Sequence, residues 1–530
     1  MKSRTQTLFA LVAVVVGLAA IGVRAYAALA TADVLDWDET YYASATATAS
    51  RGLGVYPFVL GYPQIPSMGG IGHVVYLYVL AYQIFGPHLL TLRFVSLAAS
   101  LLAVAGMTVA TRRLCGGGAA WVAFAIAPSL LVVYGTNSIR LDSFAVAFVA
   151  WAFVLYVAIS ERPPALRRYV LLGVVFALGL NVHLHTAAAT FAIGAALLWQ
   201  SFRSLRRGQA PVVASATPVA GFVGGYAIGA LLFFALSVWP SPQSYVRTAA
   251  LARLSAVDSD TVLNLTAPMD SGKLAASFLS PTELIPKEAA RYRSMFLGMP
   301  WWERALWLVG VPALLLFRPD PDRYRARPLL AGAVIGGGIV LNSASPVYFA
   351  PLVPLFVPAL ASAITHGVSR RLRVDSTLVA SWSAGLWVIV AIAIGHTVAV
   401  RAGHVASRVR HDAGQSTPAI VEAVRAAVSH DCVLVGPTGL YARYFMAYPR
   451  FVGARPTEVL IGSTYLDLQN DPIAYWRVKQ PDVVFGDPDS ALASYLADAG
   501  YQLIADRIWR RPSLSAGCTI NARQAGSRRP

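Results

Sequence analysis

The stretch IGHVVYLYVLAYQIF, Ile71–Phe85, is apolar enough to suggest a membrane crossing, and its reading fixes the side of every later loop. Arginine clusters decide the matter. They fall at Arg112 and Arg113, at Arg162, Arg167 and Arg168, and at Arg203, Arg206 and Arg207. Further clusters sit at Arg318, Arg323, Arg325 and Arg327, and at Arg370, Arg371 and Arg373. With a cytoplasmic N-terminus and no crossing at Ile71–Phe85, all of them lie on the cytoplasmic side, where positive loop charge belongs. A crossing there would send them all outside. The stretch is therefore expected to form a helix lying at, or dipping into, the outer interface. Tyr76, Tyr78 and Tyr82 suit that depth.

The rest of the composition agrees with a membrane chain. Of 530 residues, 56% are hydrophobic and 13% charged, against roughly 25% charged in soluble domains. Mean hydropathy is +0.56. The net charge of +17 would fit a nucleic-acid binder, but the basic residues sit in short clusters between apolar runs, so nucleic acid is excluded as a partner. A span needs about 20 apolar residues, and about eleven segments approach that length. They are Leu8–Leu29, Leu89–Ala110, Gly117–Tyr134, Phe144–Ile159, Tyr169–Val182, Ala187–Trp199, Val212–Val238, Trp302–Phe317, Pro328–Leu341, Val347–Ile364 and Leu378–Val398. Lys2 and Arg4, an apolar run and AYAALA (Ala25–Ala30) mimic a cleavable signal. Arg24 interrupts the approach to that site, and the run is long enough to span, so an uncleaved first helix is expected.

Three regions then face outward: about 30–87, about 239–301, and the tail after Arg401. We divide the chain into a transmembrane domain, 1–400, and a small extracytoplasmic α/β domain, 401–530. In the tail, CVLVG (Cys432–Gly436) and PDVVFGDP (Pro481–Pro488) read as strands. GLYARYFMAY (Gly439–Tyr448) and SALASYLADAG (Ser490–Gly500) read as helices, the second stopped by glycine. YQLIADRIWRR (Tyr501–Arg511) reads as a final strand. GPTG (Gly436–Gly439) is no dinucleotide fingerprint. Cys432 and Cys518 would be able to pair if the tail is extracytoplasmic; two separate small hydrophobes is the equal alternative.

Four features offer chemistry. In VLDWDETYY (Val34–Tyr42), Asp36 and Glu39 have the spacing of a capping box, which leaves Asp38 unexplained by the cap. A carboxylate in a first helical turn favours its ionised form and suits a proton acceptor or cation ligand. In NSIRLDSFAVAF (Asn137–Phe148), Arg140 and Asp142 are either a helix-end ion pair or a second acid with an arginine placed for an anion; spacing does not choose. In NVHLHTAAAT (Asn181–Thr190), His183 and His185 interrupt apolar sequence at an outward helix end. Two histidines alone are weak evidence for a metal, so phosphate binding in a polar pocket and a plain interfacial turn are the two readings. The long outward loop carries Arg247, Arg253, Lys273, Lys287, Arg291 and Arg293, placed against the topology bias, and anion binding would explain them.

Taken in order, WDETYY, LLTLRFVSLAASLLAVAGMTVATRRLCGG (Leu89–Gly117), RLD (Arg140–Asp142) and PVYFAPLVPLFVPAL (Pro346–Leu360) resemble the membrane glycosyltransferases of the GT-C fold. The nearest pattern is that of the protein O-mannosyltransferase and aminoarabinose-transferase superfamily. The resemblance covers about Leu8–Ile364 and leaves out the tail. The family usually has an arginine before the late Tyr/Pro segment, where this chain has NSASPVY. The resemblance implies an inverting glycosyltransferase of the cell envelope with a polyprenyl-phosphate sugar donor and a glycan, lipid or protein acceptor. It implies a multi-pass plasma-membrane chain with Asp38 as base and Glu39 and Asp142 in support. Arg140, His183, His185, Lys287 and Arg291 are the candidates for the donor phosphate. No cofactor is required on this reading, although Asp38 and Asp142 would suit a divalent cation. The rival readings are a transporter or lipid flippase, which would show related halves around a midplane charge, and a non-catalytic envelope assembly protein.

Overall fold

The computed structural model describes residues 2–31, 37–53, 73–133, 139–208, 211–239, 326–340, 350–366, 376–414, 417–454 and 479–521. It adds a few single residues between 286 and 304, and Trp476 and Arg477. The helices are α1 (Lys2–Ala30), α2 (Trp37–Ser50), α3 (Val75–Phe85), α4 (Leu89–Cys115), α5 (Gly117–Val133), α6 (Asp142–Ser160) and α7 (Leu166–Leu178). They continue as α8 (Ala187–Arg206), α9 (Val212–Phe233), α10 (Ala326–Val340), α11 (Val353–His366), α12 (Ser376–Gly414), α13 (Ala419–Ala427) and α14 (Ser490–Asp498). The chain forms two compact units. The first takes its described residues from 2–28, 96–239 and 286–406; the second takes them from 29–95 and 407–521.

The deciding stretch is a helix of 11 residues, Val75–Phe85. At about 1.5 Å per residue it reaches some 16 Å, roughly half of the ~30 Å hydrocarbon core. Val75, Tyr78, Val79, Ala81 and Tyr82 are buried, while Tyr76, Leu77, Leu80, Ile84 and Phe85 are exposed. One face packs on protein and the other is apolar and open, as an interfacial helix requires. Gly86, at φ +89°, ends it.

Five helical segments among the described residues are long and apolar enough to cross a membrane. They are Thr7–Ala30, Leu89–Cys115, Asp142–Ser160, Val212–Val238 and Gly385–His411. Gly117–Leu130, Pro328–Gly337 and Ala350–Ser362 are shorter apolar segments, so the count of eleven is not reached by this measure. Most of the expected span Trp302–Phe317 lies outside the described residues. Small residues set the packing. Gly221, Gly225 and Gly229 recur every fourth position on α9. A Cβ on Gly225 would collide with the Val170 carbonyl, and one on Gly173 with the Phe222 carbonyl. On α10, Gly332 and Gly336 likewise meet the backbone of Phe191 and Ala188. Such spacing lets helix backbones touch where no hydrophobic force drives association.

The second unit contains α2, packed on α3, and the C-terminal sheet. Strands β1 (Leu434–Gly436), β2 (Phe451–Gly453), β3 (Val483–Phe485), β4 (Gln502–Ala505) and β5 (Ile508–Arg510) run in the order β2-β1-β3-β5-β4. The β2–β1–β3 part is parallel, and β3–β5–β4 is antiparallel. Two expectations are corrected here. Tyr501–Arg511 is a hairpin, turning at Asp506 and Arg507, with Arg507 at φ +55°. Gly439–Tyr448 is helical but not an α-helix: a 3-10 turn ends at Leu440 and a single π turn runs Tyr441–Phe445. Its Tyr441 and Phe445 pack on Phe451, and Phe445 also on Phe485, an arrangement fixed by the aromatic core. Helix α14 is capped as expected: the Asp489 carboxylate accepts from the Leu492 amide at 2.8 Å, and Gly500 (φ +69°) follows its end. Cys432 and Cys518 form a disulfide across 86 residues of sequence. Beside it, Asp482 accepts from the amides of Val433 (2.8 Å) and Ser515 (2.7 Å) and pairs with Arg511.

Candidate functional site

Besides Asp482 in the C-terminal sheet, two buried carboxylate clusters among the described residues stand out, one in each unit. In the second unit, α2 begins at Trp37, so Asp38 and Glu39 occupy its first turn. Glu39 and Arg93 are both fully buried. Arg93 Nε donates to Glu39 Oε1 at 2.9 Å and Arg93 Nη2 to Oε2 at 2.6 Å, while Nη1 donates to the Thr31 carbonyl at 2.6 Å. This bidentate fork is the strongest form of the contact, and it fastens the start of α2 to α4. Asp38 lies on the described helix, but its side chain lies outside the described residues, as does Asp36.

Tyr82 donates to the Met446 carbonyl at 2.8 Å, joining α3 to the C-terminal segment. Burial pushes the Tyr441 phenol well above its usual range and Tyr448 up to about 12. Both therefore remain neutral hydrogen-bonding groups.

In the first unit, Asp142 opens α6 and is 1% exposed. Its Oδ2 accepts from Arg140 Nε at 2.9 Å. Its Oδ1 is buried and has no hydrogen-bond partner among the described residues. Helix α7 stops at Leu178, two 3-10 turns follow, and α8 starts at Ala187. Those turns bring His183 and His185 inward, both buried, with ring centroids 4.3 Å apart. Asn181, on the same turns, has a buried amide without a partner among the described residues. Gly179 makes the bend feasible, since a Cβ there would press on Thr186 and Phe148.

Asp142, His183 and His185 each offer a ligand atom, all within 4.8 Å of one another. The donor types suit a first-row divalent cation. His183 Nδ1, however, accepts from the His185 amide at 3.2 Å, which in the neutral ring places the proton on Nε2. His183 Nδ1 is thus committed to a backbone amide. The sulfurs near Asp482 are joined in the disulfide and hold no cation.

The structure therefore brings Asp142, Arg140, His183 and His185 together, with Arg140 engaged by Asp142. It ties Glu39 to Arg93, a residue for which the sequence reading offered no role. Lys287 and Arg291 lie outside the described residues.

Comparison with known proteins supports the fold. The family model described as dolichyl-phosphate-mannose-protein mannosyltransferase matches residues 73–224. ArnT from Cupriavidus metallidurans bound to undecaprenyl phosphate is similar over 96% of this chain and 98% of that one, at 15% identity and a TM-score of 0.54. The apo state of the same protein is similar over 98% of each chain, at 16% identity and a TM-score of 0.53. The oligosaccharyltransferase of Archaeoglobus fulgidus, tethered with an acceptor peptide, is similar over 90% of this chain and 69% of that one, at 15% identity and a TM-score of 0.50. No curated protein matches by sequence. The architecture is that of the GT-C membrane glycosyltransferases.

Proposed function

We propose that this multi-pass membrane protein is an inverting glycosyltransferase that moves a hexose or pentose from a polyprenyl-phosphate donor to an acceptor hydroxyl. The acceptor belongs to a glycan, lipid or protein at the extracytoplasmic face. One observation carries the reading: of the two acids in the first turn of α2, Glu39 is consumed by Arg93, so Asp38 is the one left for chemistry. A sugar hydroxyl is a poor nucleophile at neutral pH, and a positioned carboxylate takes its proton as attack begins. Glu39 and Arg93 act as positioning residues by fixing the turn that bears Asp38. Attack opposite the departing phosphate inverts the anomeric carbon and needs one carboxylate, unlike the paired acids of glycosidases. Cations stabilise the charge gathering on the leaving phosphate, a role for Lys287 and Arg291. Asp142, with an open oxygen beside two histidines, supports the site as a hydrogen-bond acceptor.

The topology assigned from arginine clusters is supported by the tail. A disulfide persists where the surroundings are oxidising, in keeping with an extracytoplasmic second domain and a cytoplasmic N-terminus. Purified Asp38→Asn protein in a donor-turnover assay tests the reading. Transfer should fall about 10²–10⁴-fold with unfolding behaviour unchanged. Full transfer by the folded variant would remove Asp38 from the mechanism.

A further inference from the structure

Helix α2, which carries Asp38, is enclosed on every side along its middle. Six consecutive residues, Ala43 to Thr48, are each at most 1% exposed, so no face of this stretch is open to water or lipid. All six are Ala, Ser or Thr. Thr46 donates to the Tyr42 carbonyl at 2.7 Å and Thr48 to that of Ala45 at 3.0 Å, so these hydroxyls are satisfied within their own helix. A helix of this kind has no broad apolar stripe to seat it. Its placement comes from what is packed around it.

Glu39 and Arg93 hold the start of α2. A helix held at one point is free to turn about it. The C-terminal part of the same unit supplies a second hold. The π turn Tyr441–Phe445 packs on α2. Its Tyr441, fully buried, sets the phenol beside the Ser44 hydroxyl at mid-helix. Tyr82 of α3 lies beside Ser50, the last residue of α2, and donates to the Met446 carbonyl, one residue past the π turn. The π turn is seated on the sheet in its turn, with the Phe445 ring 5.4 Å from Phe451 of β2 and 5.1 Å from Phe485 of β3. Packed side chains thus connect the parallel strands to α2 within the second unit.

We propose that Tyr82 and Tyr441 are positioning residues for the transfer: through them the C-terminal sheet region fixes the orientation of α2, and so of Asp38. This gives the C-terminal region a part in turnover. It rests on the proposed function, in which Asp38 is the base. A base displaced by a fraction of an ångström leaves substrate binding intact and loses rate, so the effect belongs in kcat and not in KM.

The test uses the full chain in nanodiscs and two readouts. One is steady-state turnover, with polyprenyl-phosphate mannose and polyprenyl-phosphate arabinose offered as donors. The other is hydrogen–deuterium exchange of the amides of residues 43–48. Tyr82→Phe removes only the hydroxyl that bonds Met446. It should lower kcat about tenfold with KM within about twofold. It should also speed the exchange about five- to tenfold, the worth of one buried hydrogen bond. Ser44→Val, which adds bulk beside Tyr441, should move both readouts the same way. Tyr501→Phe is the control. It removes a phenol bonded to the Pro481 carbonyl next to β4, at the sheet edge opposite β2, and should leave both readouts unchanged. Unchanged exchange and kcat in Tyr82→Phe would overturn the hold. An equal loss in Tyr501→Phe would overturn it too, by making the effect one of general stability. Lower kcat with unchanged exchange would overturn the route through α2. Exchange is read without transfer, so a failure of Asp38 as base, seen as full transfer by Asp38→Asn, is told apart from a failure of the hold.

Discussion

Glu39–Arg93 and Asp142–Arg140 are both buried carboxylate–guanidinium pairs, yet they are built to different degrees of completion. The Glu39 pair is closed, with two parallel bonds and a backbone carbonyl taking the third donor. The Asp142 pair is open: one oxygen meets one guanidinium nitrogen, and the other is buried with no partner among the described residues. A satisfied buried pair fixes geometry, whereas a partly satisfied one has capacity left for a ligand. On the proposed function, the first pair is structural and the second is the one with room for a ligand.

The largest effect should come from breaking the closed pair. Arg93→Met would strand a buried carboxylate, at a cost of about 3–5 kcal/mol. Arg93→Met with Glu39→Leu should recover much of that in thermal unfolding. A stable single variant would dissolve the distinction. Next is the staple in the same unit. Replacing Cys432 and Cys518 by serine should cost about 2–5 kcal/mol, and near-neutral replacement would mean that the unit holds the closed pair unaided. Asp142→Asn should cost only about 1–3 kcal/mol while lowering donor turnover roughly 10²-fold. If its stability cost matched that of Arg93→Met, the open pair would be structural as well.

The smallest effect concerns Lys479, which burial holds at about 8 against the usual 10.5. Below pH 8 the folded state carries a half-buried charge that the unfolded state leaves in water. Between pH 8 and 10.5 the folded form loses its proton first, so stability should rise with pH across that window. Lys479→Met should remove this slope and raise Tm by about 2 °C.

The first turn of α2 was readable because Asp36, Asp38 and Glu39 are sequence neighbours. The partner of Glu39 was not, since Arg93 is 54 residues away. A signal did exist: a lone arginine inside the apolar run Leu89–Ala110 is expensive enough to demand a reason. Arg24, read only as an interruption of a cleavage site, gave the same signal. Arg140 and Asp142 are two residues apart, and their pairing was among the readings offered. The β4–β5 hairpin escaped because Asp506–Arg507 lacks the glycine or asparagine that marks a tight turn. The helical character of Val75–Phe85 was legible, by contrast, because its apolar run is continuous.

The glycine seam between α7 and α9 has a consequence for traffic in the bilayer. Where Gly173 and Gly225 let two backbones touch, no methylene fits between the helices. That seam is closed to acyl and prenyl chains, and a bulkier residue at Gly225 would separate the helices before it admitted a lipid. Hydrocarbon approaching the polar interior of the first unit must use a different seam.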